Sequence, residues 1–360
     1  MKAAVLREIN QPLSIEDITI DNPAPHEVLV RTVAAGVCHS DLHFQNGSYP
    51  FPMPAVLGHE SAGVVERVGS EVRYAQPGDH VITCLSVFCG HCEYCSKGRP
   101  VLCSKEETRR ARADKPRLSK GGSPVWQFLD LSSYAEQMLV HENAIVKIDK
   151  DMPLDRAALI GCGVMTGAGA VMNTARIPAG STVAVIGCGG VGLSAIQGAR
   201  IAGASRIIAV DMVASKLELA KRMGATDGVN AKLGDPVAQV KELTGGGVEY
   251  SFEAIGLKRT AEQAFEMLRN GGTATIIGMI PVGTKIELHG VDFLYEKRIQ
   301  GSSMGSNAFR VDMPRFVELY KQGRLNLDDL ISKRIRLEGV NDAFEDLKKG
   351  EVARSVIEFS

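Results

Sequence analysis

Residues 182–192 read Thr-Val-Ala-Val-Ile-Gly-Cys-Gly-Gly-Val-Gly, a short strand-forming run that passes straight into a glycine-rich turn. Gly187 allows a tight turn, Gly189 lets the backbone approach a ligand, and Gly192 lets the following helix pack on the strand. With Gly190 and Val191 between them, they complete G-x-G-x-x-G ahead of a helical pattern that continues through Ala202. Free N–H groups at such a helix start face an anion. G-x-G-x-x-G alone is common, but its strand–turn–helix setting predicts a βαβ unit.

The neighbouring sequence continues the pattern. Arg206–Asp211 is a second apolar run, and Ser215–Met223 is amphipathic and stops before Gly224. Val248–Ala254, Thr260–Leu268 and Thr273–Gly278 repeat the alternation. Apolar strands alternating with helices predict right-handed crossovers on a parallel sheet. The second strand ends at Asp211, 19 residues after Gly192. A carboxylate there accepts hydrogen bonds from adenosine ribose hydroxyls and repels a 2′-phosphate, and Met212 beside it offers no cation. NAD is therefore expected over NADP. The plainer alternative is an aspartate that caps the next helix.

Before about residue 160 the chain changes character. Glu27–Ala35 and Gly63–Val68 read as strands, and Asn46-Gly47 and Pro77-Gly78 as turns, so this part is expected to be strand-rich and barrel-like. The tail carries helical patterns over Val311–Gln322 and Val340–Lys348 and a strand near Arg354–Phe359. A chain of 360 residues accommodates two domains. Its 41 basic and 42 acidic side chains nearly cancel, which argues against nucleic acid or an anionic membrane as partner and favours a small molecule. The N-terminus lacks the apolar core of a signal peptide, and the apolar stretch Thr182–Ile196 is broken by glycines and too short to span a bilayer. A cytoplasmic protein is expected.

Eight cysteines then need a role, because a reducing cytosol disfavours stable disulfides. Metal ligation is the first reading and a catalytic thiol the second. Cys89-x2-Cys92-x2-Cys95-x7-Cys103 supplies four thiols over 15 residues, with Gly90 and Gly98 easing the turns. Four protein ligands make a closed, structural zinc site. Cys38, His59 and Cys162 are far apart in sequence, within Gly36–His43, Gly58–Glu60 and Gly161–Gly163. Two thiolates and an imidazole leave one zinc position open, as catalysis requires, and an alcohol held there loses its proton more easily. Spacing alone fits buried small residues equally well. A further segment, Lys105–Lys120, sets Arg109, Arg110, Arg112, Lys115 and Arg117 against Glu106, Glu107 and Asp114. It reads either as a solvated loop or as a rim that attracts anionic substrates.

Together, Gly58-His59-Glu60, the four-cysteine lobe, Gly161-Cys162-Gly163, the nucleotide loop and Asp211 resemble the zinc-containing alcohol dehydrogenases of the medium-chain dehydrogenase/reductase family, over essentially the whole chain. The resemblance implies an α/β fold plus a strand-rich domain. A GroES-like catalytic domain would comprise residues 1–163 and 304–360, with the zinc lobe at 89–103. A doubly wound Rossmann coenzyme domain would cover 164–303. It also implies two zinc ions per subunit, one catalytic on Cys38, His59 and Cys162 and one structural on the four-cysteine lobe.

Residue by residue, Glu60 is expected behind the catalytic metal and Asp41 on the histidine ligand. Ser40 would take the alcohol proton and His43 pass it on through the nicotinamide ribose. His39 stands where many relatives place an arginine at the pyrophosphate. Arg354 also matches a pyrophosphate position, Lys216 the adenosine ribose and Thr166 the nicotinamide. Leu85, Phe128 and Leu129 fall near substrate-lining positions. Being apolar, they point to a hydrophobic primary alcohol or its aldehyde. The implied reaction is NAD-linked hydride transfer between alcohol and aldehyde.

Rival readings are a thiol-adduct formaldehyde dehydrogenase, which the basic run would suit, and a zinc-binding module without enzymatic activity. A polyol dehydrogenase fits less well, because that branch commonly replaces the ligand matching Cys162 with glutamate. A homodimer paired through the Rossmann sheet is implied, with a tetramer as the alternative.

Overall fold

The computed structural model describes residues 1–104, 106–111, 114–350 and 352–359. They divide into two compact units. The first comprises Met1–Cys162, Ala308–Gly323 and Ile331–Ser360, and the second Gly163–Asn307 and Arg324–Leu330.

The first unit is built on two sheets. Strand Glu27–Val37 runs through the larger one, pairing with Glu60–Val68, Gln137–His141 and, near its end, Ser355–Glu358. It is buried along most of its length, which is why it reads as a near-continuous Val/Ala run rather than an alternation. The C-terminal strand sets Ser355 opposite Val37, so the last residues of the chain lie beside the strand that delivers Cys38. A core of Leu6, Leu57, Phe128, Tyr134 and Ile357 is closed by helix Val340–Lys349. That helix buries Val340, Ala343, Phe344 and Leu347, one face of a helical repeat.

The second unit holds six parallel strands: Thr182–Ile186, Arg206–Asp211, Asp227–Asn230, Val248–Glu253, Leu268–Ile276 and Arg298–Gly301. Counted along the chain, their spatial order is 3-2-1-4-5-6. Helices Gly190–Ile201, Ala214–Met223, Pro236–Thr244 and Lys258–Glu266 connect successive strands. The order reverses at Thr182–Ile186, so the ligand-binding crevice expected at such a switch point lies at Gly187. The expected α/β unit and strand-rich unit are both present.

Two features depart from the pattern reading. The helix anticipated over Thr260–Leu268 ends at Glu266, because Leu268 already pairs with Val248 in the sheet. The chain also holds a longer apolar run that is helical throughout, Leu154–Ala175. It is long and apolar enough to cross a bilayer, yet 78% of its most apolar stretch is buried within the protein. Two segments of it, Ile160–Val164 and Ala170–Ala175, have π-helical geometry.

Candidate metal and dinucleotide sites

Cys38 lies between strand Glu27–Val37 and the short helix His39–Gln45. His59 immediately precedes strand Glu60–Val68, and Cys162 sits in the π-helical segment Ile160–Val164. Such π-turns recur at functional sites because they re-aim a side chain without ending the helix. Gly161 makes this possible: a Cβ there would come 2.8 Å from the carbonyl oxygen of Thr83. The sulfurs of Cys38 and Cys162 and a ring nitrogen of His59 all lie within 4.8 Å of one another. His59 Nε2 is 3.2 Å from Cys162 Sγ. A tetrahedral zinc with these donors sets neighbouring ligand atoms about 3.5–3.8 Å apart, so small adjustments suffice, and a soft S,S,N set suits zinc.

Asp41 organises this cluster. Its carboxylate is fully buried and accepts from the backbone N–H groups of Gly58 (3.0 Å) and Cys38 (3.3 Å) and from the Tyr134 hydroxyl (2.8 Å). It also lies 3.1 Å from His59 Nδ1. With the Nδ1 proton directed at Asp41, the Nε2 lone pair faces the two sulfurs. Burial alone would push the His59 pKa down, but the charge and hydrogen bond of Asp41 lift it well above the ordinary range. The Cys162 thiol donates to Cys38 and holds its pKa low, aided by the nearby Arg354 charge, while Cys162 itself is pushed up. Tyr134 was not legible as part of this group. It reads as one more aromatic core residue, and only the fold brings its hydroxyl to Asp41.

The other site residues in this unit are placed unequally. Ser40 Oγ lies 3.7 Å from Cys38 Sγ. His43 is half-buried, its ring 6.2 Å from that of Tyr49, and burial lowers its pKa. Among the described residues no hydrogen bond joins Ser40 directly to His43. His39 is exposed at the start of the same helix. Glu60 packs against Gly36, where any Cβ would fall 2.0 Å from Glu60 Oε1, and it pairs with Arg354 at 3.2 Å. Arg354 was expected at a pyrophosphate. Its side chain is 5% exposed, and it donates to the Val37 carbonyl as well as facing Glu60.

In the lobe, Cys89, Cys92, Cys95 and Cys103 bring four sulfurs within 4.8 Å of one another. Separations of 3.5 Å (Cys92–Cys95), 3.6 Å (Cys89–Cys103) and 3.8 Å (Cys92–Cys103) match the edges of a zinc tetrahedron. They are far too long for a disulfide bond, near 2.05 Å. Backbone N–H groups of His91 and Cys92 bring the Cys89 thiol down to about 6, which favours the thiolate a metal needs.

In the second unit the glycine reading holds at atomic level. Gly187 has φ 94°, and a Cβ on Gly192 would sit 1.7 Å from the Gly187 carbonyl oxygen. Nothing lies within 4 Å of a Cβ built on Gly189, which leaves room for a ligand at the start of helix Gly190–Ile201. Asp211 Oδ2 accepts from Cys188 N–H (2.8 Å) and Oδ1 from Val213 N–H (3.0 Å). It therefore braces the glycine turn and the next helix start, and each oxygen retains a lone pair for a ribose. Lys216 lies in the first turn of helix Ala214–Met223. Thr166 contacts the Met304 sulfur at 3.3 Å.

Phe128 and Leu129 share a cluster with Phe44 and Phe51, and Phe128 lies 5.9 Å from the His59 ring. Leu85 is partly buried and packs on a second cluster with Val28, Val87 and Leu131. The basic run is not an exposed positive rim. Arg109 pairs with Asp130, Arg110 with Asp21 and Glu27, Lys115 with Asp21, and Arg117 with Glu27. Every described cation of the run, Lys120 on Glu16 included, is matched by a carboxylate, so the field that would attract an anion is largely cancelled. Lys105, Arg112 and Ala113 lie outside the described residues.

Residues 24–150 match the family model for the alcohol dehydrogenase GroES-like domain, and residues 190–322 the model for zinc-binding dehydrogenase. The chain is 39% identical over 365 residues to the alcohol dehydrogenase class-3 of Oryza sativa subsp. japonica, covering 99% of this chain and 96% of that protein. It is 38% identical over 367 residues to the S-(hydroxymethyl)glutathione dehydrogenase of Saccharomyces cerevisiae, covering 99% and 95%. It also superposes on the crystal structure of benzyl alcohol dehydrogenase from Acinetobacter calcoaceticus with a TM-score of 0.94 at 37% identity, covering 100% of this chain and 99% of that one.

Proposed function

The chain belongs to the zinc-containing alcohol dehydrogenases of the medium-chain dehydrogenase/reductase family, and on that premise we propose that it interconverts a hydrophobic primary alcohol of the benzyl type and its aldehyde, with NAD as coenzyme. It is an oxidoreductase, so the reading as a non-enzymatic zinc module falls away. The observation that carries the substrate class is the aromatic group Phe44, Phe51 and Phe128, set against the ring of His59.

In this reading Cys38, His59 and Cys162 would hold a catalytic zinc and the lobe cysteines a second, structural one. When bound, zinc supplies Lewis-acid polarisation of the substrate oxygen, and NAD supplies the hydride acceptor. The chain's own residues do the rest. Asp41 holds His59 in the tautomer whose Nε2 is available as a ligand. Ser40 Oγ, beside Cys38, receives the substrate hydroxyl proton. His43, kept neutral near pH 7 by burial, carries the proton onward to solvent. Gly187, Gly189, Gly190, Val191 and Gly192 would cradle the pyrophosphate, and Asp211 and Lys216 would hold the adenosine ribose. Thr166 would contact the nicotinamide. In this reading the enzyme works in the reducing cytoplasm, where cysteines outside disulfide bonds are stable, and assembles as a homodimer.

A thiol-adduct formaldehyde dehydrogenase is favoured by the name of the yeast relative, but the inward pairing of the basic run removes the feature that suited an anionic adduct. One panel decides: benzyl alcohol, short alcohols and formaldehyde, each with NAD or NADP and with or without added thiol. Turnover of benzyl alcohol with NAD and no need for thiol is expected. Formaldehyde oxidation strictly dependent on a thiol, without turnover of benzyl alcohol, would overturn the proposal.

A further inference from the structure

Leu129, Asp130 and Ser132 adopt left-handed backbone, with φ of 50°, 64° and 60°. Non-glycine residues avoid this region, a leucine most of all, and such turns persist only where the surroundings over-determine them. Here the turn is held from two sides. On the inner side the Ser132 hydroxyl accepts from Phe128 N–H (2.8 Å) and donates to the Val56 carbonyl (2.7 Å). Ser133 and Tyr134 N–H groups donate to the carbonyls of Gly58 (2.9 Å) and Leu57 (3.0 Å). The turn is thereby registered on the three residues that precede His59.

On the outer side stands Arg109. Its Nε and Nη2 fork onto the two oxygens of Asp130, at 2.9 and 3.2 Å. The next residue, Arg110, is seated on Asp21 and Glu27, and Arg117 on Glu27, so the root of the basic segment is fixed to strand Glu27–Val37. Between the two anchors lie the apolar side chains of Phe128 and Leu129. The Phe128 ring meets Phe44 at 4.7 Å, Phe51 at 5.3 Å and the His59 ring at 5.9 Å, all edge-on. Leu129 packs on the same cluster. A small movement of the turn changes how far this wall reaches.

We propose that Arg109 is a positioning residue for substrate selection: by clamping Asp130 it fixes the left-handed turn and so the place of Phe128 and Leu129 in the aromatic wall beside His59. The inference rests on the reading of that wall as substrate-lining. It gives the basic segment a mechanical role in place of an electrostatic one. Planar forked recognition is specific to arginine, so a lysine at 109 keeps the charge and loses the clamp.

The test compares the unaltered enzyme with Arg109→Ala, Arg109→Lys, Asp130→Asn and the Arg109→Ala/Asp130→Asn double variant. The readout is the ratio of kcat/KM for benzyl alcohol to that for 1-propanol. Arg109→Ala and Asp130→Asn should shift the ratio by roughly threefold to tenfold, chiefly through KM for the aromatic substrate. The double variant should be no worse than either single one, and Arg109→Lys should fall between. A merely structural role would depress both substrates alike. Amide hydrogen exchange over residues 128–133 should quicken in Arg109→Ala and stay unchanged in the second unit. A ratio within twofold of the original in both single variants, wild-type behaviour of Arg109→Lys, or unchanged exchange would each overturn the proposal. If the unaltered enzyme turns over neither alcohol, the functional reading fails, and the exchange measurement alone decides whether Arg109 holds the turn.

Discussion

At the scale of single residues, the site depends on one buried carboxylate. Asp41 accepts several hydrogen bonds and fixes which nitrogen of His59 faces the sulfurs. Replacing it with asparagine keeps the shape but removes the charge that stabilises the ring orientation. Asp41→Asn is expected to weaken zinc binding by about 10- to 100-fold, measured by competition with a chelator. His43 makes a separate prediction. Burial holds its pKa below the ordinary histidine value, so the neutral, proton-accepting form prevails at pH 7. His43→Gln should slow alcohol oxidation at neutral pH and recover in part as hydroxide replaces the lost base; an unaltered pH–rate profile would remove His43 from the relay. Asp211→Gly should weaken NAD far more than NADP, read from coenzyme binding constants. The grouping of Cys38, His59 and Cys162 was legible because metal chemistry restricts the ligand types. Tyr134 was not, since a buried tyrosine looks the same in sequence whatever its hydroxyl meets.

At the scale of elements, the segment following the cysteine lobe shows where sequence reading fails. Its arginines look like a positive rim until their partners are known, and those of Arg110 and Arg117 lie far back in the chain: Glu27 is 83 residues from Arg110 and 90 from Arg117. Burial would raise the Glu27 pKa, but Arg110 and Arg117 hold it low. Glu27 is 4% exposed on its side chain and Arg117 8%, so Glu27→Gln leaves a buried guanidinium without its counter-charge. A loss of about 3 kcal/mol in urea unfolding is expected. His141, at the end of strand Gln137–His141, accepts from Asn143 N–H. Burial, aided by the charge of Arg117, lowers its pKa to about 4. Because the unfolded chain takes up that proton first, near pH 6.5, the contribution of neutral His141 is complete above that pH and is lost as the pH falls toward 4. The melting temperature should therefore decline over this window, and less steeply in His141→Gln. Strands Thr182–Ile186 and Arg206–Asp211 were readable to the residue, since buried parallel strands are short apolar runs between glycines, whereas the short and more polar Asp227–Asn230 and Arg298–Gly301 carry no such run and were not read. The π-helical turn at Cys162 was not, because no residue pattern marks it.

At the scale of the whole molecule, the first unit is assembled from distant parts. The strand Ser355–Glu358 pairs with Ala34–Val37, and Arg354 comes with it to Glu60. Resemblance to a family anticipated this closure, whereas periodicity could place a strand near the C-terminus but not say what it pairs with. The central claim is that Cys38, His59 and Cys162 hold a zinc ion distinct from that of the four-cysteine lobe. Metal analysis of purified Cys162→Ala beside the unaltered protein tests it most directly. The account predicts about two zinc ions per chain falling to about one, with the fold retained. Two ions still bound in the variant would contradict it.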